Sequence, residues 1–468
     1  MRKTKIVCTI GPASASVKAL KDLAKAGMNV ARINMSHGTY EEHLATIEAI
    51  KKVRTQTGLP IAIMLDLKGP EIRIKSFKNG KVMLGRGKKF VLTTRKIEGN
   101  ENEVSITSDK LAAFVKPKQK LLLSDGSIEL SVVEVKNKDI VCTVKVGGEL
   151  SNNKSINVPG VEIPMEYLSQ VDRLDILFGI AQGMDLLAIS FVQSAADVAE
   201  VRKFLAQNGC EDVLVVSKIE SARGVKNMDE IIRASDGVMV ARGDMGVEVD
   251  FVKLPHIQNE LLAKCLEYKK FSITATQMLE SMTQNNRPTR AEVTDIANAV
   301  LGGSGAVMLS GETAVGKHPA LCVKTMAAIA AECEKHIDFK HNFNEIENKN
   351  MQINQSVCGA AVLASFSASA KAILVSTGSG ATAREVSACR PKVQILALTP
   401  NSKTFYQMAV LFGVCPIKTK LKQTEEAIKE QAKEEAIKSA HLEKGDVVVH
   451  VIGSPSSKLS NSIRIENI

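Results

Sequence analysis

Eight short apolar segments, each followed by polar or glycine residues and then by helix-like sequence, recur along the first two thirds of the chain. Continuous apolar strands separated by helices are typical of a parallel sheet that is covered on both faces. Eight such units predict an α/β fold with a closed (β/α)8 TIM barrel, and an open doubly wound sheet is the alternative. The predicted strands are residues 5–10, 29–35, 61–67, 186–191, 213–218, 237–241, 272–275 and 306–309.

The interval between the third and fourth strands has a different pattern. Residues 71–157 carry short β-type segments broken by Gly, Asn and Lys, which predicts an inserted small all-β domain, a β-barrel lid. The barrel would occupy residues 1–70 and 158–340. A polar linker begins at His341, and a C-terminal open α/β regulatory domain is predicted over 341–468. The predicted strands of these two domains are 81–84, 89–94, 120–123, 128–135, 140–146, 372–376, 393–398, 414–417 and 446–452.

The composition of the chain limits the classes of function that it could have. The net charge is +10, but the lysines are dispersed and aromatic residues make up only 4%, which favours small phosphate-bearing ligands over nucleic acid. No apolar run reaches about 18 residues, so no membrane span is predicted, and the first apolar run is too short for a signal peptide. The nine cysteines form no CxxC pair, which predicts reduced thiols, a cytoplasmic location and no zinc site.

Active-site groups of barrels lie at the carboxyl ends of the strands, so the polar residues that close each apolar run are the candidates. Side chains alternate along a strand, and Arg32, Asn34 and Ser36 therefore share one face of the second strand. Polar groups inside a barrel cost free energy unless they are paired or bind a ligand. A strand end that is simply exposed to solvent is the alternative.

Two carboxylates, Glu220 and Asp244, follow neighbouring strands. Mg²⁺ takes one or two protein carboxylates and completes its shell with water and substrate oxygens, so this pair predicts Mg²⁺ or Mn²⁺. Lys218 shares a face with Glu220 and could neutralise a transferring phosphoryl group, although a local salt bridge is the alternative. Gly243 precedes a predicted helix, where its amide could meet a substrate carboxylate, and Thr276 points inward.

Several segments resemble pyruvate kinases, in the order and with the spacing of that family. The resemblance extends over almost the whole chain, including the inserted and the C-terminal domains. It implies transfer of the phosphoryl group of phosphoenolpyruvate to ADP, giving pyruvate and ATP in glycolysis. The segments are TKIVCTIGPAS (4–14), ARINMSHG (31–38), LDLKGPEIR (65–73), SKIE (217–220), MVARGDMGVE (239–248), ATQMLESM (275–282), RPTRAE (287–292) and SGETA (310–314).

The resemblance implies two cation sites. Glu220 and Asp244 would hold Mg²⁺ or Mn²⁺, and Lys218 would stabilise the transferring phosphoryl group and the enolate. Position 67 is Leu where the family usually has Thr, but it would contribute only a backbone carbonyl. Glu71 is the residue expected of potassium-dependent members. The implied potassium ligands are Asn34, Ser36, Asp66 and the carbonyl of Leu67.

Substrate contacts are implied as well. Arg32 would contact phosphate, the amides of Gly243 and Asp244 would take the substrate carboxylate, and Thr276 would orient the substrate. A proton relay to the enolate carbon would use Thr276, Ser310 and Glu312. The inserted domain would close over the site as a lid and exclude water. Nucleotide contacts would fall on Pro12, His37, Arg73, Lys154 and, less directly because Ser124 replaces a usual Asp, Asp125.

A GxGxxA segment, 378–383, follows a predicted strand of the C-terminal domain. In the family this loop lies at an effector site, so the resemblance implies a sugar-phosphate or nucleotide effector whose phosphate would bind at a helix N-terminus. Ordinary helix capping is the alternative. The implied effector contacts are Ser376, Thr377, Ser379 and Thr382. Relatives are homotetramers, which implies the same assembly here.

Two other classes of protein compete with this interpretation. A Mg²⁺-dependent barrel lyase that acts on pyruvate would share the carboxylate pair and the enolate chemistry, without needing the potassium ligands or the lid. A regulatory phosphate-binding relative without activity would usually have lost Lys218 or a metal ligand, and this chain retains them.

Overall fold

The computed structural model describes residues 2–161, 163–346, 353–422, 424–440, 442–453 and 460–468. The first strands and helices alternate as predicted, and the strands are almost entirely buried. The Ser16 side chain accepts the Ala19 N–H at the start of the first helix, and Thr39 and Glu42 form a capping box at the second. These elements are β1 Lys5–Thr9, α1 Val17–Ala26, β2 Val30–Asn34, α2 Tyr40–Thr57 and β3 Ala62–Asp66.

The inserted segment follows β3 and forms two sheets. Its elements are β4 Lys81–Leu84, β5 Lys89–Thr93, β6 Glu103–Ser105, α3 Leu111–Phe114, β7 Lys120–Leu123, β8 Ile128–Lys136, β9 Asp139–Val146, β10 Gly148–Ser151 and β11 Ile156–Asn157. Six strands make a mainly antiparallel open sheet in the order β11-β7-β8-β9-β5-β6, and β10 pairs with β4. The five predicted strands are confirmed. The structure adds β6, β10 and β11. Strands β6 and β11 have only three and two residues, and β10 has Leu150 as its one large apolar residue, so none shows a periodic pattern.

The barrel then resumes with further βα units. Three of its helices start with capping boxes, formed by Ser169, Ser194 and Thr289 with the acidic residue three positions on. The elements are α4 Gln170–Ala181, β12 Leu186–Ile189, α5 Ala195–Gln207, β13 Leu214–Ile219, α6 Ala222–Lys226, α7 Met228–Ala234, β14 Gly237–Ala241, α8 Arg242–Glu248, α9 Leu254–Glu267, β15 Phe271–Ala275, α10 Arg290–Leu301, β16 Ala306–Leu309, α11 Gly311–Ala314 and α12 Pro319–Cys333.

Eight parallel strands close the barrel in the order β1-β16-β15-β14-β13-β12-β3-β2. All eight predicted strands and the TIM barrel are therefore confirmed, and the open doubly wound alternative is wrong. The core between strands and helices is aliphatic, as the scarcity of aromatic residues requires. Because the strands are parallel, their carboxyl ends meet at one end of the barrel, where the polar candidates lie.

The C-terminal elements form a five-stranded sheet in the order β19-β18-β17-β20-β21, in which only β21 is antiparallel. The four predicted strands are confirmed, and β21 was not predicted. The elements are α13 Phe339–Ile346, α14 Ile353–Ser367, β17 Ala372–Ser376, α15 Ala381–Ala388, β18 Gln394–Thr399, α16 Ser402–Gln407, β19 Val414–Lys418, α17 Glu425–Ala440, β20 Val447–Gly453 and β21 Ser460–Asn467.

The predicted polar linker at His341 is wrong, because this residue lies inside α13. Phe339 and Phe343, four residues apart on one helix face, are both buried, and the Phe343 ring lies 6.1 Å from that of Phe366. Burial of these two rings outweighs the polar residues between them. The predicted domain limits stay predictions, although α13 crosses the one placed at 340/341.

Contacts at the amino end of β12 join the barrel to the C-terminal sheet. Arg54 forms a buried ion pair with Asp185, and its guanidinium lies 3.7 Å from the ring centroid of Tyr406. The Gln407 side-chain amide donates to the backbone carbonyls of Asp185 and Asp212, at 3.2 and 2.6 Å. Within the described residues, no helix is both long and apolar enough to cross a bilayer.

His450 on β20 is fully buried in the C-terminal sheet. Its Nε2 lies 3.4 Å from Ser376 Oγ, and its Nδ1 lies 4.0 Å from Glu466 and has no hydrogen-bond partner among the described residues. Burial lowers the pKa of His450 to about 4; Glu466 opposes this shift, while Lys429, Lys433 and Arg464 add to it. The folded protein therefore holds this imidazole neutral.

A buried neutral histidine should destabilise the fold in acid. His450 binds a proton near pH 6.5 in the unfolded chain and only near pH 4 in the folded chain. The free energy of unfolding is therefore highest above pH 6.5 and falls as the pH drops toward 4. The loss between pH 7.5 and pH 5 should be roughly 2 kcal/mol. Urea unfolding should show a smaller pH dependence for His450→Gln than for wild type. Equal pH dependence would contradict this, and the exposed His336→Gln is the matched control.

Candidate active site

Four buried charged side chains form a continuous line across the carboxyl end of the barrel. Arg32 Nε lies 2.5 Å from Asp66 Oδ2, and Lys218 Nζ lies 3.4 Å from Asp66 Oδ1 and 2.9 Å from Glu220 Oε1. Arg32 also donates to Thr9 Oγ1 at 2.9 Å. None of the four charged residues is more than 9% exposed. Two cations and two anions therefore alternate along the line, which is the arrangement that buried charge requires.

The pKa values in this line depend on burial and on the neighbouring charges. Burial alone would raise the pKa of Asp66, but Arg32 and Lys218 hold it below its ordinary value. Burial would lower the pKa of Lys218, but Asp66 and Glu220 raise it, so the ammonium stays charged. Burial raises the pKa of Glu220 to about 7, and Asp244 adds to this while Lys218 opposes it.

The Glu220 and Asp244 carboxylates fit a divalent cation. Glu220 Oε1 touches Lys218 but accepts no well-directed hydrogen bond from any described residue, and Asp244 is close enough to raise the pKa of Glu220. In the part of the chain that the structure describes, no three His, Cys, Asp or Glu side chains cluster as metal ligands. A two-carboxylate site of this kind leaves most coordination positions to water and substrate, as Mg²⁺ prefers.

Two of the residues predicted to hold potassium lie side by side. Asn34 and Asp66 are register partners at the ends of β2 and β3, and Asn34 Oδ1 accepts the Ser36 N–H at 3.2 Å. Asp66 Oδ1 is buried without a hydrogen-bond partner among the described residues. Together with the adjacent Leu67 carbonyl, these groups offer neutral and anionic oxygens that suit a monovalent cation.

Ser190, directly after β12, is a functional candidate that sequence reasoning missed. Its Oγ accepts a hydrogen bond from Lys218 Nζ at 2.7 Å and donates one to the Leu67 carbonyl at 2.7 Å. The next residue, Phe191, donates its backbone N–H to Glu220 Oε2 at 2.7 Å. The available signal was the position of Ser190 at the end of a predicted strand.

The segment after β15 has an unusual backbone. Thr276 and Gln277 have φ values of +74° and +52°, which a β-branched residue such as Thr rarely adopts. Thr276 Oγ1 accepts the Gly243 N–H at 2.9 Å. The prediction that Gly243 precedes a helix is wrong, because α8 begins at Arg242 and includes Gly243. Its amide is turned toward Thr276 rather than left unpaired.

Ser310 directly follows β16 and Glu312 lies in α11, where its carboxylate binds backbone N–H groups. The Glu312 carboxylate is fully buried and accepts the N–H groups of Leu279 at 2.9 Å and of Ser310 at 2.7 Å. Glu312 therefore fixes the loop that follows Thr276 against the end of β16. A role of either residue in a proton relay stays a prediction.

A cavity of about 840 Å³ opens beside Arg32. Its lining includes Pro12, Asn34, His37 and Ser310. Burial lowers the pKa of His37, and the nearby cations Arg73, Arg32, Lys154 and Lys68 lower it further, which places four positive side chains around one imidazole. Such a field suits a polyphosphate.

Two of the residues predicted to bind nucleotide, Arg73 and Asp125, already form contacts with residues of the inserted segment. Arg73 contacts the Glu71 carboxylate at 2.6 Å and donates to the Asn153 carbonyl at 2.9 Å. Asp125 has a φ of +54° and accepts a hydrogen bond from Ser155 Oγ at 3.4 Å. They lie near the junction of the insert with the barrel.

The predicted effector residues lie at the end of β17 and at the start of α15, in the C-terminal part of the chain. Ser376 ends β17, Ser379 is exposed in the following loop, and Thr382 lies in the first turn of α15. Thr377 Oγ1 accepts the Gly380 N–H at 2.9 Å, so this hydroxyl already serves the turn before α15.

Known proteins with the same architecture are pyruvate kinases. The family descriptions "Pyruvate kinase, barrel domain" and "Pyruvate kinase, alpha/beta domain" match residues 1–323 and 355–466. The pyruvate kinase of Sporosarcina psychrophila is 43% identical over 461 residues, which cover 97% of this chain and 78% of the relative. That of Geobacillus stearothermophilus is 43% identical over 457 residues, with the same coverage. A crystal structure of a pyruvate kinase from Cryptosporidium parvum has a TM-score of 0.94 at 36% identity and covers 100% of this chain and 96% of its own.

A TIM barrel with buried alternating charges and a cationic cleft at its carboxyl end fits a phosphotransferase, and its relatives assign it to that class. The chain belongs to the pyruvate kinase family. It transfers the phosphoryl group of phosphoenolpyruvate to ADP, giving pyruvate and ATP, and so acts in glycolysis. The resemblance and the reaction predicted from the sequence are confirmed, and the lyase and the inactive relative are excluded.

Gly69→Ala should disturb the site through Ser190. A Cβ at Gly69, where φ is +71°, would come within 2.8 Å of the Ser190 carbonyl oxygen and 2.9 Å of its Cβ. The displaced hydroxyl should misplace Lys218, and kcat for pyruvate formation should fall about 10-fold or more. Gly58→Ala is the matched control, since φ is +68° and a Cβ would meet nothing within 4 Å. If both variants kept wild-type kcat, the packing of Gly69 would not matter for catalysis.

Proposed function

We propose that the line of buried charges from Arg32 to Glu220 is the catalytic centre for phosphoryl transfer. The observation that carries this proposal is the pair of buried carboxylate oxygens, Asp66 Oδ1 and Glu220 Oε1, that touch the Lys218 ammonium without well-directed hydrogen bonds. Buried polar atoms are normally satisfied, so such oxygens support bound cations or substrate in the working enzyme.

Glu220 and Asp244 would hold Mg²⁺ or Mn²⁺. A divalent ion bound there would neutralise charge on the transferring phosphoryl group. Lys218 would neutralise the remaining negative charge and that of the enolate, because Asp66 and Glu220 keep its pKa raised and its ammonium charged. These charges would act in a site with little exposure to water, where electrostatic interactions are stronger.

Asn34, Ser36, Asp66 and the Leu67 carbonyl would hold K⁺. The Leu at position 67 does not disturb this assignment, since the proposed ligand is a backbone oxygen. Placed beside Arg32, a monovalent cation would add one positive charge to the side of the site that faces the substrate phosphate.

The remaining roles concern the substrates. Arg32 would bind the phosphate of phosphoenolpyruvate, and the amides of Gly243 and Asp244 would take its carboxylate once substrate displaces the Thr276 hydroxyl from Gly243. Thr276 would orient the enolate and pass a proton to its carbon, with Ser310 beside it. The two backbone hydrogen bonds accepted by Glu312 support a positioning role for this residue in the same relay.

ADP would lie in the cavity beside Arg32. Pro12 and His37 line it, and Arg73 and Lys154 surround His37 with positive charge that would bind the phosphates. Asp125 would approach from the inserted segment. The segment contacts the barrel through Asn157, which donates to Glu248 at 2.9 Å, and this contact supports closure as a lid.

Lys218→Met tests the catalytic assignment. Pyruvate formation from phosphoenolpyruvate and ADP is measured with Mg²⁺, with and without K⁺ at constant ionic strength. Loss of the ammonium should lower kcat by about 100- to 1,000-fold, as removal of one electrostatic group from a buried site does. Lys52→Met, on the exposed side of α2, is the control.

The outcomes separate the parts of the proposal. Potassium-stimulated turnover in wild type that collapses in Lys218→Met supports the lysine and the ion site together. Full turnover in Lys218→Met would remove the lysine from the mechanism. Turnover that depends on Mg²⁺ but not on K⁺ would remove only the potassium site.

Regulation, assembly and location belong to the same proposal. The loop before α15 would bind the phosphate of a sugar-phosphate or nucleotide effector through Ser376, Thr377, Ser379 and Thr382. The exposed Ser379 hydroxyl and the nearby Arg384, which donates to the Ser379 carbonyl at 3.4 Å, favour an anion at this place. The enzyme would work in the cytoplasm as a homotetramer, like the relatives that its sequence resembles.

An effector should shift the saturation curve for phosphoenolpyruvate. Sugar phosphates and nucleotides are added singly, and an active one should change half-saturation by about 5-fold or more. Ser379→Ala should keep the basal curve and lose the response, whereas Ser367→Ala, also exposed in this domain, should respond as wild type does. An unchanged curve with every compound would argue against the effector site.

A further inference from the structure

Ser190 lies between the two cation-handling parts of the site. It is 2% exposed and follows β12, the strand between β3 and β13. Its hydroxyl oxygen is 2.7 Å from Lys218 Nζ and 2.7 Å from the carbonyl oxygen of Leu67. One side chain therefore touches both the proposed catalytic lysine and a proposed potassium ligand.

The direction of these two hydrogen bonds is fixed by chemistry. An ammonium can only donate and a carbonyl can only accept, whereas a hydroxyl has one hydrogen to give. Lys218 must therefore donate to Ser190, and Ser190 must donate its only hydrogen to Leu67. The two bonds form a chain with a single orientation, and bonds in such a chain strengthen one another.

The surroundings hold Ser190 in place from several sides. The Tyr167 hydroxyl donates to the Ser190 carbonyl at 3.0 Å, and Gly69 packs so closely that no side chain fits between them. The Leu67 N–H donates to the Ala188 carbonyl at 3.0 Å, which anchors the residue whose carbonyl is the acceptor. Because these contacts keep both residues in place, a change in the hydrogen-bond strength of the Leu67 carbonyl alters the hydrogen bonds of the Ser190 hydroxyl.

We propose that Ser190 is a positioning residue that couples the monovalent-cation site to Lys218. This rests on the proposed function, because the cation site is part of it. The Leu67 carbonyl has two lone pairs, so it can accept from Ser190 and bind a cation together. With a cation bound, this carbonyl is a poorer acceptor for Ser190. Ser190 in turn becomes a weaker acceptor for Lys218 but still holds it in position, so the ammonium donates more strongly to the phosphoryl oxygens.

The coupling is tested by Ser190→Ala with two independent readouts. Turnover of the full-length enzyme is measured with Mg²⁺ in KCl and in tetramethylammonium chloride, and the K⁺-induced shift in Tm is measured without substrates. Ser235→Ala is the matched control, because Ser235 is also buried and its hydroxyl also bonds one side chain and one backbone carbonyl, the Ser217 hydroxyl at 2.6 Å and the Ile231 carbonyl at 2.7 Å.

In Ser190→Ala, kcat should fall about 10-fold or more, as loss of a hydrogen bond to a charged group predicts, with KM for phosphoenolpyruvate within about 3-fold of wild type. The stimulation ratio, kcat with K⁺ over kcat without, should drop to less than half of the wild-type ratio. The K⁺-induced Tm shift should match that of wild type within about 1 °C, because the ion still binds. Ser235→Ala should keep the wild-type ratio.

Each other outcome overturns the coupling. A wild-type ratio in Ser190→Ala would show that Lys218 does not sense the cation through Ser190. Loss of the Tm shift together with the ratio would make Ser190 part of the ion site instead. A wild type that forms pyruvate without any effect of K⁺ would remove the ion site itself, which the proposed-function assay identifies separately. If Ser190→Ala does not fold, Ser190→Cys, with its weak thiol hydrogen bonds, takes its place under the same criteria.

Discussion

The buried Asp66 carboxylate is the interaction on which the rest of the site depends. It lies between Arg32 and Lys218 and is fully buried, so it compensates both positive charges inside the barrel. Removing one partner from such an arrangement leaves an uncompensated charge, which costs far more than the pair contributes. The price of burying charge explains why the line alternates in sign from Arg32 to Glu220, and why every member comes from a strand end that the barrel closure holds in place.

Strand β12 connects this charged site to the other end of the barrel. Asp185, directly before the strand, is held by Arg54 and by Gln407 of the C-terminal domain, while Ser190, directly after it, accepts from Lys218. Only four strand residues separate the two contacts, and all are fully buried. The C-terminal domain and Lys218 therefore contact opposite ends of one short buried strand, which gives the two domains a direct physical connection.

The elements that sequence patterns predicted well are those whose pattern is long and local. Eight apolar runs defined the barrel strands, and the residues closing them included Arg32, Lys218 and Glu220. The errors arose where packing outweighed local composition. The segment around His341 looked like a linker because its polar residues dominate, but Phe339 and Phe343 bury one helix face. Strands β6 and β11 are too short to carry a pattern, and β10 has Leu150 as its one large apolar residue. Strand β21 was not recognised because its place in the sheet comes from pairing with β20.

The sequence by itself determined the barrel, the family and the identity of the charged groups, because strand periodicity and motif order are written in neighbouring residues. Only the tertiary structure decided which atoms meet. That Asp66 stands between Arg32 and Lys218, that Glu312 serves two backbone amides, and that Ser190 links Lys218 to the Leu67 carbonyl all depend on contacts between strands far apart in the chain. Hydrogen bonds and ion pairs require distances of about 3 Å, and such distances are set by barrel closure and register rather than by sequence spacing.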